Sequence, residues 1–285
     1  AKIASVFAQD VSQVPSSDLP KTLHVALSKF KTKGATLIFS GSSSVATTKC
    51  IEIPSTVDEE IKSIVNLQAS RHTPLTREEI QIGYINNGLL KDNITKVLLV
   101  IANKKIIKEY LSIFTNLKLR FEKVLYPAEA ICAYYSKKLA SIAKPGATAL
   151  IDVGYKSTEF IVVQNSAPFA TRTIPIGRAQ FLTEGLLAKE VFVEELANTV
   201  ESLKTEEAGD TPGQYIFTSD DTLTRELQAL AIEKLKWNIE LASYMDLIKA
   251  SDSVLSDLAT KYGEHSFLDL VATAANASKA KIDFM

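Results

Sequence analysis

Glycine is scarce in this chain: 11 of 285 residues, about half the average usage of ~7%. No two glycines are adjacent or separated by a single residue. Nucleotide-binding folds commonly bring main-chain amides against phosphates through glycine-rich turns, because glycine reaches positive φ and lets the backbone approach closely. With no Gly-Gly and no Gly-x-Gly, dinucleotide-binding and P-loop readings fail at the first step. Cysteine is scarcer still. Cys50 and Cys132 lie far apart and outside any Cys-x-x-Cys or Cys/His spacing, so a zinc site or disulfide framework has no support and a reducing compartment is expected. Charge of one sign is also missing: 32 Lys+Arg stand against 33 Asp+Glu, a formal net charge of −1, which offers no footprint for nucleic acid or an anionic membrane surface. The longest apolar runs, such as residues 97–102, have strand length and fall short of the ~18 residues of a membrane span. No direct membrane insertion within these residues is expected. The opening AKIASVFAQD carries an early Asp and no long apolar core, unlike a signal peptide. The final KIDFM stops abruptly, as at a cut edge.

The material that is present, 46% hydrophobic and 23% charged, suits a soluble globular protein with one large or two medium cores. Residues 22–31 carry a short helical pattern behind the punctuation PSSDLP. The apolar run ending at Ser40 and the alternating VATTKCIEI of 45–53 are joined by GSSS, which predicts a β-hairpin. A helix follows from the acids Asp58, Glu59 and Glu60, with Thr56 or Asp58 as cap, ending near His72 before Pro74. Residues 80–85 alternate as a strand, Asn86, Asn87 and Gly88 read as a loop, and 97–101 read as a buried strand. The helix of 104–117 completes a β-β-α-β-β-α unit over 36–120. Beyond it come a strand at 119–125, a helix from Pro127, and the strongest strand signals in the chain. Residues 147–154, 158–164 and 170–176 predict an antiparallel meander. Helices at 179–203, the surface loop 204–213, a strand at Gln214, a helix over 220–236 and two short helices within 246–279 end the pattern.

The chemically most suggestive stretch is 151–160, IDVGYKSTEF. Asp152 at a strand end, Gly154 in the turn, then Ser157 and Thr158 opening the next strand would present amides and hydroxyls to a phosphate and a carboxylate to a metal or its waters. The same residues also suit a plain hairpin whose Asp and Gly supply turn geometry. Glu129 in PAEA could activate a water, but an acid at a helix start needs no function. His24, His72 and His265 are isolated from one another and from paired carboxylates, which argues against a catalytic histidine. Arg71 and His72 suit a helix C-terminus. Trp237 reads as packing, and Ser42 to Ser44, with no base nearby in any recognisable motif, as turn residues.

The word DxGxxxT at Asp152, Gly154 and Thr158, followed by a three-stranded meander, resembles the second phosphate motif of the actin, Hsp70 and sugar-kinase superfamily. The upstream words sharpen the likeness: IEIP at 51–54, an acidic helix, PLTREE at 74–79 and then KVLLVIAN at 96–103 are similar to the type IV pilus assembly protein PilM family and, more remotely, to FtsA. The likeness covers roughly 22–182; beyond that it rests on element order. It implies an α/β, actin-like (ribonuclease-H-like) fold: a core of 1–35 with 121–285, short of the family's N-terminal strands if these were cut away, and an inserted α+β subdomain over 36–120.

The departures carry as much weight. The family opens with DxGxxxxK, whereas no glycine precedes Gly34 here; that motif is either cut away ahead of Ala1 or was never there. The Gly-Gly turn that walls the adenine is replaced by Thr218, Ser219, Asp220 and Asp221, good for starting a helix and poor for holding a purine. Of three nucleotide-contacting words one survives, and phosphoryl transfer needs metal and phosphates positioned together. No cofactor and no enzymatic activity are therefore expected, with ATP and magnesium the cofactor pair that the resemblance alone admits through a remnant motif at Asp152, Gly154, Ser157 and Thr158. The resemblance implies a cytoplasmic scaffold, peripheral to a bacterial inner membrane, in a type IV pilus or type II secretion platform. Its partner would be the cytoplasmic peptide of a PilN-like membrane protein, in the groove between core and subdomain. FtsA-like filaments make a homo-oligomer a further expectation, and a membrane span after Met285 would instead suggest a fused PilM/PilN or GspL-type protein. The alternative is an ATP-binding switch or ATPase.

Overall fold

In the computed structural model, α1 (Leu19–Leu27) starts earlier than periodicity suggests, because Pro20 sits in its first turn, where a missing N–H costs nothing. All residues are described except 1, 16, 31–33, 42–44, 92, 116, 142–145 and 206–210. The first part continues with β1 (Ile38–Ser40), β2 (Ala46–Ile53), α2 (Asp58–Gln68), β3 (Ile80–Lys91), β4 (Ile94–Asn103), α3 (Lys104–Thr115), β5 (Lys123–Leu125), α4 (Pro127–Tyr134) and α5 (Ser136–Ala140). The second part runs β6 (Thr148–Val153), β7 (Thr158–Gln164), β8 (Ala167–Ile174), α6 (Arg178–Glu184), α7 (Leu186–Thr205), β9 (Gln214–Phe217), α8 (Thr222–Leu235), β10 (Ile239–Leu241), α9 (Asp252–Ser256) and α10 (Leu268–Asn276).

The second part forms a five-stranded sheet of order β10-β9-β6-β7-β8. Strands β6, β9 and β10 are parallel, while β6, β7 and β8 form the expected antiparallel meander. Strand β6 is buried at every position, as a central strand covered on both faces must be. Ala149, Ile151 and Val153 face Phe160, Phe192 and Leu227 in the layer that includes α7 and α8. Leu150 points the other way, into a cluster with Ile131 of α4 and Leu268 and Ala272 of α10.

Strand β4 shows the same two-sided burial in the small antiparallel sheet β2-β4-β3. Val97, Leu99 and Ile101 meet Ile61 and Val65 of α2, and Leu98, Val100 and Ala102 join the cluster that holds Leu150. One face of this sheet is thereby welded to the main core. Fully burying a side chain of this size contributes roughly 1.5–3 kcal/mol, which accounts for the uninterrupted apolar run.

The structure corrects three local expectations. The hairpin over 36–53 does not form: β1 pairs in parallel with β5, and β2 pairs with β4. Residues 38–40 find their partner far along the chain, and alternation alone cannot identify a partner. Asn86 and Gly88 lie inside β3 as a bulge rather than a loop; Gly88 carries φ +96°, and register shifts against β4 there. Helix α2 is capped by neither Thr56 nor Asp58. Val57 occupies the cap position, its amide donates to Ser55 Oγ at 3.0 Å, and that hydroxyl donates to Glu60 at 2.5 Å. The turn expected at Ser42 to Ser44 lies outside the described residues, as does part of the loop 204–213.

Candidate functional site

Asp152 is the penultimate residue of β6, Gly154 turns the chain toward β7 and Thr158 opens β7, so the residues of the remnant motif are gathered around one tight turn. The Gly154 amide donates to the Ser157 carbonyl at 2.9 Å, and a Cβ at Gly154 would lie 2.8 Å from that oxygen. The outer side of the turn is covered by Gly177. A Cβ there would come within 2.6 Å of Lys156 C, Ser157 N and Tyr155 O, so the second glycine lets backbone rest on backbone. The next residues start α6, and their amides are already used: Arg178 donates to the Gly154 carbonyl at 2.9 Å and Ala179 to Tyr155 at 3.0 Å. Protein carbonyls thus take the helix-end amides that would otherwise attract an anion.

The polar side chains of Thr158 and Asp152 also face inward. Thr158 is fully buried and its hydroxyl donates to the Ile176 carbonyl at 2.8 Å. Asp152 is 7% exposed, and its Oδ1 accepts hydroxyls from Thr218 at 2.6 Å and Ser266 at 2.8 Å. Burial pushes the Asp152 carboxyl above its usual range, opposed by those two hydroxyls and the nearby Arg178 charge. Ser157 is half-buried in the turn, with its carbonyl engaged by Gly154.

A cleft of about 380 Å³ opens beyond the carboxyl ends of β9 and β10, the position at which open α/β sheets bind ligands. Arg178, Asp220, Asp221, Tyr244, Asp246 and His265 line it. Sequence reading gave no role to Arg178, yet it organises this wall. Its side chain is 6% exposed, Nε donates to the Val153 carbonyl at 2.9 Å, and one terminal nitrogen meets Asp221 Oδ2 at 2.7 Å and Thr224 Oγ1 at 3.2 Å. The helix start expected within 218–221 is there, with Asp221 as its cap: its Oδ1 accepts the Thr224 amide at 3.0 Å at the start of α8. Burial raises the Asp221 carboxyl, but Arg178 and the Thr224 amide outweigh it and hold it below the ordinary value. Asp220 pairs with Arg225 at 2.6 Å. His265 stacks on Tyr155, ring centroids 4.8 Å apart and planes 5° apart, so the loop before α10 lies over the motif's turn. No local signal in the sequence pairs these two rings.

The remaining candidates fall elsewhere. Glu129 accepts the amides of Lys281 and Ile282 at 2.9 and 3.1 Å. His24 and Arg71 are exposed, and His72 sits in the turn after α2. Trp237 stacks on Tyr215 at 3.9 Å between centroids. Among the described residues no group of three or more His, Cys, Asp or Glu is arranged to hold a metal ion, and no helix is long and apolar enough to cross a membrane.

Comparison with known proteins places this geometry. The family model for type IV pilus assembly protein PilM matches residues 6–206, well over half the chain. No curated protein sequence matches. Among solved structures, one described as a PilM-PilN type IV pilus biogenesis complex is similar over 92% of this chain and 85% of its own, with 14% identity and a TM-score of 0.72. A Bacteroides thetaiotaomicron protein described as having an actin-like ATPase fold and unknown function covers 95% and 86% at 11% identity, TM-score 0.49. The cytoplasmic domain of EpsL from the Vibrio cholerae type II secretion system covers 93% and 82% at 10% identity, TM-score 0.48. At these identities the likeness concerns the fold, which is the actin-like one expected.

Proposed function

The chain belongs to the type IV pilus assembly protein PilM family, and from that premise we propose that it is a non-enzymatic scaffold at the cytoplasmic face of a bacterial inner membrane. In this reading its partner is the cytoplasmic segment of a PilN-like membrane protein, held in the groove between the main core and the three-stranded sheet. The similar solved complex, whose description pairs PilM with PilN, supports that choice of partner.

The observation that carries the scaffold reading is Gly177 seated on the turn 154–157, where even a methyl group has no room. The residues present do not fit a magnesium nucleotide there. A phosphate would need the space taken by Gly177 and amides that already bond Gly154 and Tyr155 carbonyls. The cleft beside it adds the carboxylate of Asp246, which repels polyphosphate, while Arg178 in its wall is already paired with Asp221. The protein then acts as a pseudo-ATPase by geometry, using the actin-like frame to present surfaces.

A fluorescence titration with a labelled peptide from the cytoplasmic end of the neighbouring PilN-like protein tests the partner. Saturation with a Kd on the order of micromolar is expected, typical of a modest peptide contact; an unsaturated line up to millimolar protein contradicts it. The alternative reading, an ATP-binding switch, draws on the retained Asp152 and Gly154 and on the cleft's position in the sheet. It predicts that the same titration changes when Mg·ATP is added.

A further inference from the structure

Four of the fourteen large apolar side chains exposed among the described residues fall within ten positions: Leu182, Leu186, Leu187 and Val191 are 62%, 65%, 64% and 40% exposed. Single exposed apolar residues are ordinary, but a group of them is not, because each leaves much of its transfer free energy unused. They surround the joint between α6 and α7, where Gly185 takes φ +59°, a conformation that costs glycine little. Beneath the joint Phe181 and Phe192 are buried, with ring centroids 5.4 Å apart and planes at 77°. These rings hold the end of α6 against the second turn of α7, so their chain neighbours Leu182 and Val191 emerge on one surface. Leu187 and Val191 lie one helical turn apart on the same face of α7. The surface is also one-signed. Residues 182–195 hold four acids, Glu184, Glu190, Glu194 and Glu195, against one lysine. That lysine, Lys189, is taken by Glu226 of α8, and Glu190 is taken by Lys234. Glu184 and Glu194 are exposed and pair with no described residue.

We propose that the joint of α6 and α7 is a docking surface for a basic amphipathic helix of a partner protein. The row from Leu182 through Leu187 to Val191 suits apolar anchors at i, i+3 or i+4 and i+7 of a helix laid across it. Glu184 and Glu194 accompany the row and call for cations, which lysines or arginines beside the partner's apolar stripe supply. Lys189 and Lys234 are already engaged across α7 and α8 and do not neutralise them. The same acids disfavour an anionic lipid surface, and a second copy meeting this face across a two-fold axis would set acids against acids. The surface lies on the layer of α7 and α8, across the main sheet from the cluster that joins the three-stranded sheet. It is therefore separate from the groove proposed for a PilN-like segment and does not depend on that reading.

The test titrates the full chain into a labelled model helix with leucines at i, i+3, i+4 and i+7 and lysines on both flanks, and into a control helix with glutamates in place of the lysines. Fluorescence anisotropy should show the lysine helix saturating with a Kd on the order of 10 micromolar, at least tenfold tighter than the glutamate helix. Leu187→Gln should weaken it at least tenfold while the protein melts within about 2 °C of the wild type, as a surface substitution does. Glu184→Lys combined with Glu194→Lys should reverse the order of the two helices, a result that non-specific apolar sticking cannot give. Absence of saturable binding, equal affinity for the two helices, binding unchanged by Leu187→Gln, or a Leu187→Gln chain that loses its fold would each overturn the inference. So would a peptide-free wild type that sediments as a dimer and becomes monomeric with Leu187→Gln, which would give the face to a second copy.

Discussion

Arg178 and Asp221 meet at 2.7 Å across the mouth of the cleft, one placed just after β8 and the other at the first turn of α8. The pair ties the turn that carries Gly154 to the helix start where an adenine wall would stand. It also gives Arg178 a partner in addition to the Val153 carbonyl.

Replacing Arg178 by Met should destabilise the protein by about 2–3 kcal/mol in denaturant melts. Breaking a buried pair typically costs 3–5 kcal/mol, and the lower figure reflects an Asp221 side chain that is 41% exposed. Asp221→Asn keeps a capping oxygen and should cost about 1 kcal/mol. The pair also sets an acid limb. Because Asp221 titrates below its ordinary value in the fold, its contribution is complete above the unfolded carboxyl pKa of ~3.9 and is lost as pH falls below it. Urea midpoints of wild type and Asp221→Asn should therefore converge below about pH 4.

Gly177→Ala should cost about 3 kcal/mol, at the upper end of overpacking effects, because three backbone atoms lie 2.6 Å from the new methyl. Gly154→Ala, with one oxygen at 2.8 Å, should cost less. Guanidinium melts that leave Gly177→Ala as stable as wild type would show that the turn is loosely covered and that a phosphate has room.

Asp269, in the first turn of α10, behaves in the opposite sense to Asp221. Burial pushes its carboxyl up to about 6, aided by the nearby Asp152 charge and opposed by the Leu270 amide. A raised acid favours the neutral form in the fold, so stability is gained as pH falls through about 6 toward the unfolded value near 4 and is missing at pH 7. Asp269→Asn should stabilise the protein by on the order of 2 kcal/mol at pH 7 and by little at pH 4. The figure is held down because an acid near a helix start is itself favourable by roughly 0.3–1 kcal/mol. Thermal melts across pH 4–8 check it, and a pH-independent difference would contradict it.

The β6–β8 meander was legible because each strand is a compact apolar run and short turns join neighbours that pair with each other. Strand β4 was legible as buried for the same reason that it is buried, two covered faces. Residues 38–40 were not, since their partner is β5 and nothing in an alternating pattern names a distant strand. At the site, Asp152 and Gly154 stood out as a strand-end acid and a turn glycine, and residues 218–221 as a helix start. What closes the site did not: Gly177 resting on Lys156, Arg178 reaching Asp221, and His265 stacking on Tyr155 are tertiary contacts between segments of unremarkable composition. The shortage of glycine said that phosphate turns were few, but only packing shows that two of the remaining glycines are used to press backbone against backbone.

If the protein's own backbone closes the phosphate turn of the actin-like frame, as proposed, calorimetric titration of the wild-type chain with Mg·ATP reads it without any substitution. No saturable heat is expected up to millimolar nucleotide. A saturable isotherm with a Kd in the micromolar range or tighter, lost in Asp152→Asn while the fold is retained, would contradict it.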